Sequence, residues 1–185
     1  MSTDDEAAFR VLFDQHFADL WRFARRRVGT AADADDIAAA TFAVAWRRRA
    51  DLPAGPDRRL WLFGVARNLV ANHHRSEVRR RRLHLRLADQ VERDVDSPEP
   101  GGVDPALAAA LAALNAGERE VLVMRCWDGL AVHEIATLLA CTPNAVSLRL
   151  HKARRRLAEH LARKDPAAAG QVVDDPNAAK DPRHA

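Results

Sequence analysis

Residues 129–161, GLAVHEIATLLACTPNAVSLRLHKARRRLAEHL, combine two short helical patterns with a tight break between them. Apolar residues at 135, 138 and 139 follow the i, i+3, i+4 spacing of one helix face. In the break, Thr142 suits an N-cap and Pro143 suits the first helical position, where its missing N–H costs nothing. A second apolar stripe follows, consisting of Val146, Leu150, Ala153, Leu157 and Leu161. This pattern predicts a helix-turn-helix with a basic second helix, the arrangement that places a recognition helix in the DNA major groove.

The face opposite this stripe carries the side chains that could read DNA. At about 100° per residue, that face presents Asn144, Leu148, His151, Lys152 and Arg155. Asn pairs with adenine, and Lys or Arg pairs with guanine or holds phosphate. Leu148 is unusual on a polar face, and two explanations stay open. It contacts a thymine methyl group, or it packs on another part of the domain.

The charge distribution indicates more than one kind of partner. The chain has 185 residues and a net charge of +3. Arginine runs occur at 25–27, 47–49, 79–82 and 154–156, whereas acidic residues cluster at 4–6, 33–36 and 92–99. Basic surfaces suit nucleic acid, and separate acidic surfaces suit a different partner. For any single arginine run, a solvated helix face remains the simpler interpretation.

The periodicity predicts an all-α protein of two small helical domains joined by a flexible linker. Residues 7–87 are helical nearly throughout, apart from a break at 51–57 with two prolines and a glycine. Residues 88–104 are rich in Pro, Gly and acidic residues, which is typical of a linker. The second domain spans 105–163, and the tail 164–185 has no apolar periodicity, so we expect it to be disordered.

Aromatic residues concentrate in the first domain, where all six Phe and three of the four Trp lie before residue 64. Binding a melted DNA strand requires flat faces for base stacking beside positive charge, and Trp46, Trp61 and Phe63 lie near arginines. Most of these aromatics are better explained as a helical core. The 51–57 loop is the better candidate for base contact, because its backbone is free to form a pocket.

Several function classes are disfavoured by the sequence. No apolar run is long enough to span a membrane, and the acidic N-terminus does not resemble a secretory signal. Cys126 and Cys141 are expected to be small buried residues of a reducing compartment, so we expect a cytoplasmic protein. There is no Gly-rich phosphate loop or paired-carboxylate motif, and the histidines at 73, 74 and 84 lack ligand spacing. We therefore expect neither an enzyme nor a metal or other cofactor.

These residues together resemble the bacterial RNA polymerase sigma factors of the extracytoplasmic-function (ECF) group of the sigma-70 family. Residues 33–42, DADDIAAATF, followed by Trp46, resemble the core-binding helix, and WLF at 61–63 with ARNL at 66–69 resembles the promoter-melting helix. In the second domain the similar segments are REVL at 119–122, GL at 129–130, EIA at 134–136 and RLHKAR at 149–154. The resemblance covers roughly residues 9–161, and the order of the motifs makes the combination specific.

The resemblance implies that domain one (region 2) binds core RNA polymerase and opens the −10 element, and that domain two (region 4) reads the −35 element. The implied polymerase contacts are Asp33, Asp35, Asp36 and Phe42. The implied −10 contacts are Leu52, Arg58, Arg59, Trp61, Arg67 and Asn68. The implied −35 contacts are Asn144, Ser147, Leu148, Arg149, His151, Lys152 and Arg155. An anti-sigma factor is a further implied partner.

Two departures from the family pattern bear on these expectations. Ala39 and Ala40 stand where the family usually has polar residues, which should weaken the polymerase contact. Ser147 and Leu148 stand where a basic residue and Ser are often found, which should change the −35 sequence that is read.

Two other classes of protein compete with this interpretation. A free-standing helix-turn-helix regulator explains domain two but leaves the acidic helix without a role, and a helical adaptor leaves the helix-turn-helix unexplained. Two weak DNA contacts on a flexible linker gain from effective concentration only when their spacing is held. We therefore expect weak promoter binding by the free protein and tight binding in a holoenzyme.

Overall fold

The computed structural model describes residues 3–87 and 104–164, and every regular element in these ranges is helical. The α-helices are α1 (Thr3–Arg25), α2 (Ala31–Arg47), α3 (Asp57–Leu87), α4 (Pro105–Ala112), α5 (Ala116–Cys126), α6 (Val132–Leu138) and α7 (Pro143–Lys164). The all-α prediction is confirmed. The chain separates into two compact units at residues 100 and 101, within the predicted linker. Residues 88–103, which make up all of the predicted linker except Asp104, and residues 165–185 of the predicted tail lie outside the described residues.

The first unit is a three-helix arrangement whose core lies between α1, α2 and α3. The side chains of Leu20, Phe23, Ala38, Leu62 and Phe63 are at most 2% exposed. Phe23 and Phe63 meet edge to face, with ring centroids 5.1 Å apart. Because burying one such side chain stabilises a fold by roughly 1.5–3 kcal/mol, this α1–α3 contact is a main determinant of the unit.

A second aromatic cluster joins α1 to α2. Phe42 lies 4.7 Å from Phe13 and 6.2 Å from Phe9, and Phe9 lies 4.9 Å from Trp46 between ring centroids. Phe23, Phe42 and Phe63 are buried, whereas Phe13 is 37% exposed, so the interpretation that most aromatics of the first domain form a core holds for only part of them. Trp46 and Trp61 are half-buried rather than fully enclosed.

The irregular segment between α2 and α3 is shorter than the break predicted at residues 51–57. A 3₁₀ turn covers Arg49–Asp51, and α3 begins at Asp57. The irregular segment is therefore 52–56, where Gly55 adopts a φ of 62°. That left-handed conformation suits glycine, which has no Cβ to clash with the backbone.

The second unit contains α4 to α7 and begins with two side-chain caps. Asp104 Oδ1 accepts from the Ala106 N–H at 2.7 Å, so Asp104 is the N-cap of α4 rather than the last linker residue. Asn115 caps α5 by accepting from the Glu118 N–H at 2.9 Å. The core of the unit is apolar and closely packed, and its most buried members are Val121, Met124, Leu130, Ile135, Val146 and Ala153.

Two polar interactions fasten the second unit. Arg119 donates to the carbonyl oxygens of Leu111, Ala112 and Leu114 at 2.7–3.1 Å, which satisfies the C-terminal end of α4. Arg156 on α7 holds both carboxylate oxygens of Glu118 on α5 at 2.8 and 2.9 Å.

The cysteine expectation is wrong in part. Cys126 ends α5 and is exposed, and Cys141 is half-buried in the turn before α7. Among the described helices, none is both long enough and apolar enough to cross a membrane.

Candidate functional site

The turn between α6 and α7 is built by local contacts, of which the sequence predicted those of Thr142 and Pro143. Thr142 Oγ1 accepts from the Ala145 N–H at 3.2 Å, and Pro143 is the first residue of α7. Ala140 has a φ of 50°, and the Cys141 N–H donates to Ala136 O at 3.0 Å, so the chain reverses directly after α6. Together these contacts fix the angle at which α7 leaves α6.

All seven residues predicted to contact −35 DNA lie exposed on α7. Val146 and Leu150, on the other side of the helix, are 0% and 4% exposed. Leu148 is 55% exposed, which excludes the alternative that it packs within its own unit. The helix therefore presents a large apolar side chain to solvent in the middle of a polar and basic face.

The arginine run at 154–156 divides between two tasks. Arg155 is exposed and lies 3.5 Å from Glu159, also exposed, one turn along α7. Arg156 points to the buried Glu118 and so holds α7 against α5. Adjacent arginines of one basic run thus belong to the outer face, for Arg155, and to the packing interface, for Arg156.

Arg58 shapes the loop that precedes α3. Its Nε donates to Pro53 O at 3.0 Å, and its backbone N–H donates to Gly55 O at 3.2 Å. Arg58 was predicted to contact DNA, and the structure shows its guanidinium engaged with its own loop. Leu52, at the start of that loop, is half-buried.

The remaining predicted −10 residues occupy different faces of α3. Arg59 is half-buried, with Nε 4.0 Å from Asp19 and its guanidinium 4.7 Å from the Phe63 ring centroid, so it is tied to the core. Trp61 is half-buried and Asn68 exposed, and their seven-residue spacing places them on one face, about 10 Å apart along the axis. Arg67 is half-buried and has interactions within the protein.

Next to Arg59 lies a histidine that sequence reasoning did not single out. Burial lowers the pKa of His16 below its usual 6.5, and the positive charges of Arg59 and Arg58 lower it further, whereas Asp19 opposes them. The surroundings of His16 therefore favour the neutral imidazole.

The three aspartates among the predicted polymerase contacts differ in whether other residues of the protein already bind their carboxylates. Trp21 Nε1 donates to Asp35 Oδ1 at 2.7 Å, and Asp33 exchanges hydrogen bonds with the N-cap residue Thr30 at 2.6 and 3.0 Å. Asp36 is exposed, and its carboxylate has no hydrogen bond or ion pair with the described residues.

Phe42 is only 3% exposed and lies inside the aromatic cluster of α1 and α2. It cannot present its ring to a partner in this conformation, because packing already covers the ring. We therefore assign Phe42 a supporting role in the core of the unit and keep the three aspartates as the candidate contact surface.

Sequence reasoning missed the pairing of Glu118 with Arg156. The Asn115-x-x-Glu118 spacing is a helix-start signal and could have placed Glu118 in the first turn of α5. No local signal points to a partner 38 residues away.

Comparison with known proteins agrees with this arrangement. The sigma-70 region 2 family matches residues 12–80, and the sigma-70 region 4 family matches residues 105–157. The chain is 36% identical over 159 residues to the ECF RNA polymerase sigma factor SigL of Mycobacterium tuberculosis, covering 83% of this chain and 88% of that protein.

Two solved structures share the fold. One is the sigma factor RpoE of Bartonella quintana in complex with the anti-sigma factor NepR, with a TM-score of 0.61, 23% identity and coverage of 85% of this chain and 98% of that chain. The other is CnrH in complex with the cytosolic domain of CnrY, with a TM-score of 0.59, 27% identity and coverage of 86% and 90%. The chain therefore belongs to the ECF sigma factors of the sigma-70 family, which direct RNA polymerase to initiate transcription at specific promoters.

Proposed function

We propose that the two helical units divide promoter recognition, with α7 reading the −35 duplex and the first unit opening the −10 element and binding polymerase. The observation that carries this proposal is the outer face of α7. Its seven candidate contacts are all exposed, and the opposite face is closed by core packing. A helix held this firmly presents its side chains to DNA without a cost of ordering.

The order of residues along α7 suggests two kinds of contact. In helix-turn-helix proteins the N-terminal residues of the recognition helix reach the base edges. Asn144, Ser147 and Leu148 lie in the first six residues of α7 and are the candidate base readers. Lys152 and Arg155 lie one or two turns further along, where phosphate contact is the simpler assignment.

In the first unit, the candidate −10 surface is the 52–56 loop together with Trp61 and Asn68 on α3. Trp61 offers a flat face for stacking a base, and Asn68 offers an amide that can both donate and accept. Arg58 and Arg59 act by holding the loop and the start of α3 in place, since both are tied to protein groups.

The polymerase contact centres on Asp36. Asp33 and Asp35 add negative charge to the same end of α2 but also hold the helix to Thr30 and Trp21. Ala39 is exposed and Ala40 half-buried one turn later, so this part of the surface offers small apolar groups rather than hydrogen bonds.

An anti-sigma factor is a further proposed partner, and the site of action would be the cytoplasm, where polymerase works. The support comes from the similar structures, because RpoE was solved in complex with the anti-sigma factor NepR and CnrH in complex with the cytosolic domain of CnrY. Co-purification of tagged protein from its host, before and after stress, would identify the partner.

The decisive test concerns Leu148. A holoenzyme is first used to select its preferred −35 sequence from a random pool, and each selected thymine is then replaced by uracil, which lacks only the methyl group. We expect Leu148→Ala to weaken binding to the thymine duplex, and one uracil substitution to weaken wild type without affecting the variant. Val11→Ala, which alters another apolar side chain that is 54% exposed, serves as the control.

Additive effects of Leu148→Ala and every uracil substitution would exclude the methyl contact. If Lys152→Ala also left promoter affinity and its salt dependence unchanged, α7 would not be the DNA-reading helix. A phosphate role for Lys152 predicts a uniform loss of affinity across sequences and a smaller salt slope.

A further inference from the structure

The second half of α3 extends beyond the core of its unit. Val70, at 5% exposure, is the last buried residue of the helix up to residue 83. Of the thirteen residues that follow, 71–83, eleven are exposed and two, His73 and Glu77, are half-buried. We call residues 71–83 the overhang; at 1.5 Å per residue it is about 20 Å long.

The overhang is strongly basic. It carries Arg75 and the run 79–82 against a single acidic residue, Glu77, which pairs with Arg80. His73, near the start of the overhang, lies 3.9 Å from Asp33 on α2, between Nε2 and Oδ1, and the residues beyond it up to 83 are exposed apart from Glu77. A helical segment with so little tertiary packing is only marginally stable in water, and like charges one turn apart weaken it further. An anionic partner would relieve that repulsion.

The arginines of the overhang are arranged by face. The i, i+4, i+7 spacing places Arg75, Arg79 and Arg82 in one stripe, whereas Arg80 and Arg81 lie on the other side of the helix. Arg75 and Arg79 make hydrogen bonds to the neutral side chains of Asn72 and Ser76, respectively, which leave both positive charges uncompensated. The guanidinium of Arg82 has no hydrogen bond or ion pair within the described part of the chain.

We infer that this stripe binds the phosphates of duplex DNA next to the −10 element, without reading its sequence. The inference rests on the proposed function, because α3 carries both the candidate −10 residues and the overhang on one continuous helix. Arg82 lies 14 residues beyond Asn68, which is about 21 Å along the axis or roughly six base pairs of B-DNA. The unit proposed to read the −35 element follows in the chain, so the overhang would lie on the upstream, still paired side of the −10 element.

The charge pattern favours duplex DNA over an acidic protein surface. Phosphates recur regularly along a strand, so a stripe of guanidinium groups repeating about every 5 Å can meet several of them at once. Contact with phosphate requires no particular side chains from the partner, which fits an overhang whose remaining residues show no common apolar face.

The test compares two matched double variants. Arg79→Gln with Arg82→Gln removes two charges from the stripe, and Arg80→Gln with Arg81→Gln removes two from the opposite side. Glutamine keeps a good helix propensity, and circular dichroism verifies folding. Each holoenzyme is titrated with two DNA probes, a single-stranded −10 element and the same strand joined to an upstream duplex.

We expect the stripe variant to bind the single-stranded probe as wild type does and to lose most of the gain that the duplex provides. Two lost phosphate contacts reduce the slope of log K against log salt by about 1.8, so the affinity ratio of wild type to variant should change roughly twelvefold between 50 and 200 mM salt. The opposite-side variant should change much less.

Three results would overturn the inference. Equal losses in both double variants would indicate a general charge effect, and an unchanged duplex gain in the stripe variant would exclude phosphate contact. Loss of co-elution with core polymerase in the stripe variant alone would assign the stripe to a protein partner. Failure of wild-type holoenzyme to bind the single-stranded −10 probe would instead refute the proposed function of the first unit.

Discussion

Replacing Arg156 by alanine should make the second unit easier to unfold, whereas replacing Arg155 by alanine should leave its stability almost unchanged. The Glu118 side chain is 6% exposed and receives two hydrogen bonds from the guanidinium of Arg156, whose side chain is 48% exposed. Removing Arg156 leaves a buried carboxylate without its counter-ion. The Arg155–Glu159 pair, by contrast, is 63% and 53% exposed with a 3.5 Å separation.

The expected magnitudes follow from these surroundings. Breaking a fully buried ion pair costs about 3–5 kcal/mol. Here the arginine is half in solvent, and Glu118 lies in the first turn of α5, where the helix dipole stabilises a negative charge by about 0.3–1 kcal/mol. We therefore expect Arg156→Ala to lower the free energy of unfolding by about 2 kcal/mol, and Arg155→Ala by no more than about 0.5 kcal/mol.

The assay is urea denaturation of the full chain, combined with hydrogen exchange of α5 and α7 to assign the change to the second unit. Both substitutions replace arginine by alanine in the same helix, so differences in helix propensity cancel. Promoter binding supplies the opposite test, since Arg155→Ala should weaken it while Arg156→Ala, measured well below its unfolding midpoint, should not. Equal losses of stability in the two variants would refute the assignment of Arg156 to the packing interface.

Three further predictions concern the first unit. Asp36→Arg should abolish co-elution with core polymerase on gel filtration, while Asp14→Arg, a charge reversal at an exposed position of α1, should retain it; retention by both variants would show that Asp36 is not part of the contact. The folded protein lowers the pKa of His16, so below pH 6.5 the unfolded chain binds more protons at this residue than the folded protein does. The free energy of unfolding should therefore fall as the pH drops through 6.5, and it should fall less in His16→Gln. Identical pH profiles for wild type and variant would contradict this. Arg58→Ala should speed hydrogen exchange in the 52–56 loop and reduce promoter opening while −35 duplex binding persists; an unchanged exchange rate would show that Arg58 does not hold the loop.

The parts of this fold that sequence reasoning predicted are those fixed by neighbours in the chain. Thr142 and Pro143 predict the start of α7 because an N-cap and a proline at the first helical position act within a single turn. The apolar stripe beginning at Val146 predicts which face of α7 is buried, and the exposed face then follows, including Leu148.

Contacts between distant segments were not accessible in the same way. Phe42 lies in a motif that resembles a partner-binding helix, and nothing in that motif tells whether its ring faces outward or joins Phe9 and Phe13 on α1. For the aspartates of the same motif, the sequence does not show which carboxylates are already engaged by other residues of the protein. Asp35 reads as a free acidic residue until Trp21, 14 residues earlier, is seen to donate to it.

Arginine shows most clearly why a sequence pattern alone does not identify a binding surface. One guanidinium can satisfy backbone carbonyls, pair with a buried carboxylate or bind a phosphate, and each of these uses draws on the same set of five N–H donors. Arg58 was predicted to contact DNA and Arg156 belongs to the basic run 154–156, yet a carbonyl of the 52–56 loop and the carboxylate of Glu118 already engage them. Engaging such an arginine with DNA would first require breaking that contact, and for Arg156 the cost would include exposing a buried charge. The arginines best suited to bind DNA are therefore those, such as Arg82, whose positive charge the fold leaves uncompensated.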